Sequence, residues 1–559
     1  MKELYHKIQF LSGKNYGLYK QLLGKSYPFG DFSLEFLHIQ GDPYAPPSKI
    51  LAVIPMSVLG FESSFWNTLT KKIALSDFLH RELFACLQEK YGEKNEEIIC
   101  ACPEEAIFIR NSVWIDNGFL QILFSVPLPG KDRKIDGDKA KEILTFSLPD
   151  VLTNALYATK EKREEARKAI FNLEVRAALL EKLKENDLVA FIPNGAILAR
   201  ENGLSEKPLK NAIPFLSPPE MEVELEVCGQ KIKGMGIKKG ITVITGGAFH
   251  GKSTLLDALK KAVYPHIEGD GREWIVIDES ALYITKEEGR SVRHSDISAL
   301  VRSLPGGKTA KDFSTANASG STSEAANLME AIEFGTTTFL IDEDSSAVNF
   351  LVRDALVRQL LDESEEPLVP LIDKISDFKK AGLSFILVAG ACGKYLEIAD
   401  DVLVLKHFKV FNETKKVKSL IEKNDSFKQG SFEKPQCRAF APFIQELKSS
   451  VKPLTAVEKN VKVKVQGTKL QIGFLTAETA NVFQFKNQAL LFGAGYILLN
   501  ILQNPEEKLT NTLLQEKFSK IENVGFRAFA KSMTKDTVLP RSIEIFQVLL
   551  RLRDYKKGE

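Results

Sequence analysis

Cysteine is scarce in this chain: six residues in 559, with no two in CxxC spacing. That scarcity excludes a disulfide scaffold and leaves no zinc-ligand pattern. The two nearest, Cys100 and Cys102, alternate on an apolar stretch and are read as part of a buried strand. Long apolar runs are lacking as well. The longest, such as LSFILVAGAC at 383–392, fall far short of the ~18 residues that span a bilayer. MKELYHKIQFLSGKNYG lacks the apolar centre of a signal peptide, so a cytoplasmic protein with no membrane partner is expected. Charge of one sign is not in excess, with 75 Lys/Arg against 73 Asp/Glu. No repeat of about 20–50 residues and no sustained heptad array occurs, which excludes a solenoid or a long coiled coil.

What is present describes a globular chain: 44% hydrophobic and 26% charged residues, at a length that fits roughly two to four domains. Residues 1–150 carry short alternating runs (FSLEFLHIQ, LAVIPMSV, AIFIRNSVWI, FLQILFSVPLP) and few strong helices, an N-terminal α+β domain punctuated by the proline-rich loop GDPYAPPSK at 41–49. Residues 151–220 hold a helical pair and then strand, turn, strand at LVAFIPNGAILARENG, with Gly195 available for a positive φ. From 221 to 405, strands (MEVELEVCG, GITVITGG, TTTFLIDE, LSFILVAG) alternate with helices at KSTLLDALKKAV, 324–334, 348–362 and 371–380. This is the α/β pattern of a parallel sheet flanked by helices. Residues 406–559 read as a basic C-terminal α+β domain, with an alternating run at 461–474 and helices near 486–503, 510–522 and SIEIFQVLLRLRDYKK.

The strongest chemical signal is GGAFHGKS, Gly246 to Ser253, directly after an apolar strand and directly before a helix. Glycines let successive N–H groups turn inward, and the helix N-terminus adds partial positive charge to the same hollow. Gly246, Gly247, Ala248, Phe249, His250, Gly251, Lys252, Ser253 and Thr254 are therefore the expected nucleotide-binding residues, with Lys252 reaching the β- and γ-phosphates and Ser253 holding Mg2+. GMGIKKG at 234–240 superficially matches a dinucleotide loop, but it precedes a strand and is set aside. Downstream, TTTFLIDEDSS delivers Asp342, Glu343 and Asp344 at a strand end. That is a Walker B arrangement, in which Asp342 positions Mg2+ and Glu343 orients and polarises the attacking water.

A second anion device lies 23 positions before Asp342, where ASGST at 318–322 opens a helix. Ser319, Gly320 and Ser321 offer a hydroxyl and backbone N–H groups to phosphate. One nucleotide uses both devices only if two copies face each other, which is the logic of ATP-binding-cassette ATPases. On these motifs residues 221–405 look like an ABC-type P-loop core. The whole chain resembles the soluble family of predicted ABC-class ATPases, through IQGDPYAPPSK, LVAFIPNGAILAR, EEGRSVRHSDIS, NASGSTSEAANLMEAIEFG, LIDEDSSAVNFLVRD and LPRSIEIFQVLLRLR. The resemblance implies a D-loop at SSAVN, with Ser346, Ala347 and Asn349 meeting the opposite subunit, and an ATP hydrolase that works as a homodimer.

Two departures stand out. No glutamine lies between Leu255 and Ser314, so the Q-loop ligand is missing and Asp296 or Ser295 is the expected substitute. Gly390 stands where a switch histidine normally follows the strand, and His250 and His294 offer no firm replacement. Slow or partner-dependent hydrolysis follows. Arg290 and Arg293 meet either nucleotide or ordinary salt-bridge partners. From 406 to 470 there are fifteen Lys/Arg against six Asp/Glu, and Phe408, Phe411 and Phe427 lie in or beside this run. The resemblance implies RNA, and the lysines independently suit a polyanion held without sequence readout. A solvated lysine surface over a phenylalanine core is the other reading. Two further readings stay open: an ATP-dependent dimeric clamp that hardly hydrolyses, and a DNA-repair-type ABC ATPase. Against the second, only about 65 residues separate Ser253 from Ser319, too few for the long coiled coil inserted there.

Overall fold

Residue contacts in the computed structural model divide the chain into two units, Met1–Glu174 with Thr512–Pro540, and Val175–Asn511 with Arg541–Glu559. The structure describes residues 1–92, 95–203, 205–304, 309–360, 365–421, 431–435, 447, 461–503, 511–526 and 535–554. Phe427 and Cys437, singled out in the sequence, lie outside these residues.

In the first unit an antiparallel sheet of five strands runs in the order Ser26–Pro28, Ser33–His38, Ser48–Pro55, Phe119–Val126, Val113–Asp116. The alternating runs form these strands because one face of each is buried. Sequence reading expected few strong helices here, yet Leu69–Tyr91 is a 23-residue helix. Its Leu75, Leu79, Leu83 and Leu87 fall four apart and are all buried, a helical stripe that the interleaved lysines and glutamates obscure. Thr68 caps its start by accepting from the Lys71 N–H. The loop at 41–49 is tied at its base by Gln40, whose Oε1 accepts from the Ser48 and Leu128 N–H groups, and it projects Tyr44 into solvent. Cys100 is buried and Cys102 exposed, on a stretch that makes a single bridge at Ile99 instead of the expected strand. Among the described residues no metal-ligating cluster occurs. The chain returns to this unit late, pairing Val538 with Arg110.

The second unit is built on a six-stranded sheet ordered Leu282–Ile284, Thr338–Asp342, Ser384–Val388, Ile241–Gly246, Asp401–Lys406, Lys409–Asn412. Every pairing is parallel except the last hairpin. Alternation splits the core between its faces: Phe339, Ile341, Phe385 and Leu387 join the helices Gly320–Glu333 and Leu371–Lys380, while Leu340, Ile386, Val388 and Leu403 join the helix Lys252–Lys261. Burial on both faces explains why these strands read as unbroken apolar runs. A four-stranded antiparallel sheet (Val276–Ile277, Leu188–Pro193, Gln230–Lys238, Glu222–Val227) covers the second face.

Three local expectations change. After Leu188–Pro193 and the turn at Gly195 the chain makes only a single bridge, Arg200 with Pro208, in place of a second strand. The helix expected over 348–362 breaks into Val348–Leu351 and Ala355–Leu360, because Val352 is extended at φ −149 and Arg353 turns to an ion pair with Glu366. The last helix, Ser542–Arg551, stops where Arg553–Asp554 pairs with Leu475–Thr476 as a sheet edge. Among the described residues no helix is long and apolar enough to cross a membrane.

Candidate active site

The phosphate loop leaves the sheet at Gly246 and enters its helix at Lys252. Its shape depends on glycine at two points. Gly246 has φ 139 and a Cβ there would run into the Leu405 carbonyl, while Gly251 has φ 98 and packs on the Phe408 ring. Between them Phe249 also takes a positive φ of 62 and is 95% exposed. Lys252 Nζ donates to the Gly246 and Gly247 carbonyls at 2.8 and 2.9 Å, so the ammonium is folded over the loop. Ser253 and Thr254 follow on the first turn of the helix.

The loop leans on a hairpin turn that no motif signalled. His407 and Phe408, the two residues between strands Asp401–Lys406 and Lys409–Asn412, both have positive φ, 50 and 64. Such a turn normally selects Asn-Gly, and a phenylalanine held there is costly. The His250 ring lies 4.9 Å from that of His407, tilted by 38°, and places Nδ1 3.2 Å from the Leu405 carbonyl oxygen. His250 therefore braces the loop through its ring. A groove of about 370 Å³ beside the turn is lined by Ile213, Leu216, Phe408 and Phe411 among others.

Asp342 reaches the same sheet edge. It and Ile244 are both register partners of Val388, so the carboxylate stands two strands, roughly 10 Å, from the loop strand. Burial pushes the Asp342 carboxyl up, and the Asp344 N–H, donating to Oδ1 at 3.3 Å, opposes this. Among the described residues Asp342 makes no ion pair. A half-buried carboxylate of this kind could hold a divalent cation. Glu343 is held differently: its Oε2 accepts from the Gly390 and Ala391 N–H groups at 2.7 and 2.9 Å. Where the sequence lacks a switch histidine, two backbone amides of the same loop grip the carboxylate.

The Ser-Gly turn of ASGST at 318–322, the signature turn of the expected cassette, caps its helix through Ser319, whose side chain accepts from the Thr322 N–H. It is knitted to the D-loop within one chain. Ser321 Oγ donates to Asn349 Oδ1 at 2.5 Å, Gly320 approaches Ala347, and Glu324 Oε2 accepts from the Ala347 N–H at 2.7 Å. Ser346 donates to the Asp342 carbonyl at 2.9 Å, which ties the D-loop to the strand end. Behind the turn lies a buried ion network. Arg290 pairs with Glu330 and Asn327, Ser295 donates to Glu330, and Arg551 of the last helix pairs with Glu287 and Asn327. Burial alone would raise the Glu287 carboxyl, but Arg551 outweighs it and holds it below the ordinary range.

Arg290 is thus a structural ion-pair partner. Ser295 is fully buried and committed to Glu330, so it does not stand in for the missing glutamine. Asp296 receives the Ser298 N–H and hydroxyl, and His294 lies on the surface near Asp312. Sequence reading missed Glu324, the 390–391 amides and the His407–Phe408 turn. Of these only Glu324 left a trace, as a charged residue on an otherwise small and apolar helix face.

Residues 162–439 match a family model described as the P-loop domain of ABC ATPases, and residues 1–159 match the N-terminal domain of ATPases of the ABC class. An uncharacterized protein of Methanocaldococcus jannaschii is 36% identical over 244 residues, 41% of this chain and 53% of the relative, so the match spans about half of that protein's length. Matches among solved structures include an ATP-binding cassette of an ABC transporter in its ADP conformation (10% identity, TM-score 0.23, 36% of this chain and 92% of that one) and cbiO1 from Clostridium perfringens, part of the ABC transporter complex cbiONQ (14%, 0.26, 49% and 100%), scores too low to carry an argument.

Proposed function

The chain belongs to the ATPases of the ABC class, and from that premise we propose that it binds and hydrolyses Mg-ATP at a composite site between two copies of itself, coupled to binding of single-stranded RNA. One observation carries the reading. The signature turn and the D-loop are bonded to each other by Ser321–Asn349 and Glu324–Ala347, while Lys252, Asp342 and Glu343 gather at the sheet edge. This supports a division in which one copy supplies Lys252, Ser253, Asp342 and Glu343 and the other supplies Ser319 and Gly320.

In that site the N–H groups of the phosphate loop and Lys252 bind the β- and γ-phosphates. Magnesium, held by Ser253 and Asp342, would neutralise phosphate charge. Glu343, with Oε2 fixed by two amides, has Oε1 left to orient a water for in-line attack. The hydroxyl of Ser319 and the first N–H groups of its helix close over the γ-phosphate from the other copy. For RNA, the support is charge and aromatic exposure: Phe408 is 61% exposed, and Lys406 Nζ lies 5.4 Å from the Phe411 ring centroid. Cation and π-face beside a lysine-rich run suit stacked bases and phosphates.

The test is ATP turnover by purified protein with and without single-stranded RNA across a salt series. Stimulation that fades as salt rises is expected. A turnover indifferent to RNA, with no RNA affinity at low salt, removes the RNA arm. Turnover absent under all conditions, with tight ATP-dependent dimers, favours the clamp reading, for which the missing glutamine and histidine argue.

A further inference from the structure

Tyr283 stands where the phosphate-loop helix meets the turn that carries Asp342 and Glu343. It lies on the edge strand Leu282–Ile284, paired with the strand that ends at Asp342. Leu282 and Ile284 pack on the face of the sheet that holds the helix Gly320–Glu333, so alternation turns the Tyr283 ring to the other face, against the helix Lys252–Lys261. There Lys260, on the last turn of that helix, places Nζ 4.5 Å from the Tyr283 ring centroid and 4.3 Å from that of Phe483. The two rings meet edge to face at 6.3 Å, and Asp257 lies 3.5 Å from the ammonium. With the Lys260 side chain only 13% exposed, this cation–π contact is largely desolvated and stronger than one at the surface.

The other end of Tyr283 reaches the turn Glu343–Ser345. Its hydroxyl lies 2.6 Å from Ser345 Oγ, and Ser345 Oγ donates to the Asp342 carbonyl at 3.1 Å. A serine hydroxyl has a single hydrogen. Ser345 spends it on a carbonyl, which only accepts, so the Tyr283 O–H must be the donor to Ser345. The bonds therefore run in one direction, from Tyr283 through Ser345 to the Asp342 carbonyl, and bonds in series polarise one another. Thr285 Oγ1 and the Lys286 N–H, just beyond the same strand, donate to the Ser345 carbonyl at 2.7 and 3.3 Å.

We propose that Tyr283 is a positioning residue for ATP hydrolysis: its hydroxyl fixes the Glu343–Ser345 turn, and its ring, clamped by Lys260 and Phe483, fixes that turn against the phosphate-loop helix. The proposal rests on the reading of Asp342 as magnesium ligand and Glu343 as the carboxylate that orients water. Lys252 and Ser253 open the helix whose last turn holds Lys260, so the contact at Tyr283 sets the separation between the phosphate-binding end and the two carboxylates. A ring that only filled space would be replaced by phenylalanine without loss.

The experiment measures amide hydrogen exchange at 342–347 without nucleotide or magnesium, and ATP turnover, in wild type, Tyr283→Phe, Lys260→Met and the double variant. Tyr283→Phe keeps the ring and removes the hydroxyl. Protection at 343–346 should fall several-fold and kcat by about tenfold, short of the ~10²-fold that a misplacement of roughly 1 Å costs. KM should change little, because no phosphate contact is touched. Lys260→Met frees the ring and should act in the same direction, and the double variant should lose less than the sum, since both groups serve one link in series. If Lys260→Met does not fold, Tyr283→Phe decides alone. Protection and kcat both unchanged in Tyr283→Phe overturn the proposal, as does lost protection with kcat intact, the mark of a structural role only. Wild type that turns over no ATP, with protection lost in Tyr283→Phe, keeps the anchoring of the turn and removes the ATPase reading.

Discussion

The phosphate loop and the Ser319 turn each open a helix, and the two are built by opposite means. The first is made of backbone. Glycines at 246 and 251 adopt φ values that side chains avoid, and the loop's own carbonyls receive Lys252. The second is made of side chains, with Ser321, Glu324 and Asn349 tying turn to D-loop over a buried network of Arg290, Glu330, Glu287 and Arg551. A backbone cradle tolerates few residue types and leaves a motif; a side-chain cradle disperses its supports along the chain, as far as 264 positions between Glu287 and Arg551.

Breaking the first cradle should cost function and spare the fold. Lys252→Ala is expected to lower turnover by about 10³-fold with thermal unfolding unchanged, measured by phosphate release and calorimetry. Breaking the second should cost the fold as well. Arg551→Met takes its ion-pair partner from the buried Glu287, leaving only the Asn327 amide and the nearby Arg290 charge, and denaturant titration should read a loss of about 3 kcal/mol, with much of it recovered in the Glu287→Gln/Arg551→Met pair. Gly246→Ala sharpens the contrast. The strained φ and the Leu405 contact predict a smaller stability loss of about 1–3 kcal/mol together with lost nucleotide affinity in a fluorescent-ATP titration.

The mildest test uses the titration of Glu324. Its folded value, about 7, is above the unfolded value of 4.5, so the native state prefers the proton. Stability is undiminished below about pH 4.5, declines as pH rises toward 7, and levels off above it. Glu324→Gln should therefore gain on wild type between pH 5 and 8, by at most about 3 kcal/mol, in urea titrations at each pH. Equal pH dependence in the two proteins would place the charge elsewhere.

The same contrast explains what could be read in the sequence. The phosphate loop was legible because its strand, turn and helix are contiguous, and the parallel sheet followed from its apolar runs. The 23-residue helix at Leu69–Tyr91 was hidden by its charges, although its leucines kept the period. Glu343's grip by the Gly390 and Ala391 amides was invisible, since amide donors carry no residue identity and the absent histidine drew attention instead. Of the two substitutes expected for the missing glutamine, Asp296 or Ser295, spacing gave no sign that the Ser295 hydroxyl is spent on Glu330 in the core.

The composite site is the central claim, and Glu343→Gln tests it most directly. Analytical ultracentrifugation of this variant with ATP and magnesium should show a dimer that reverts to monomer when ATP is replaced by ADP. A monomer with ATP at high protein concentration, from protein that binds ATP normally, would contradict the account.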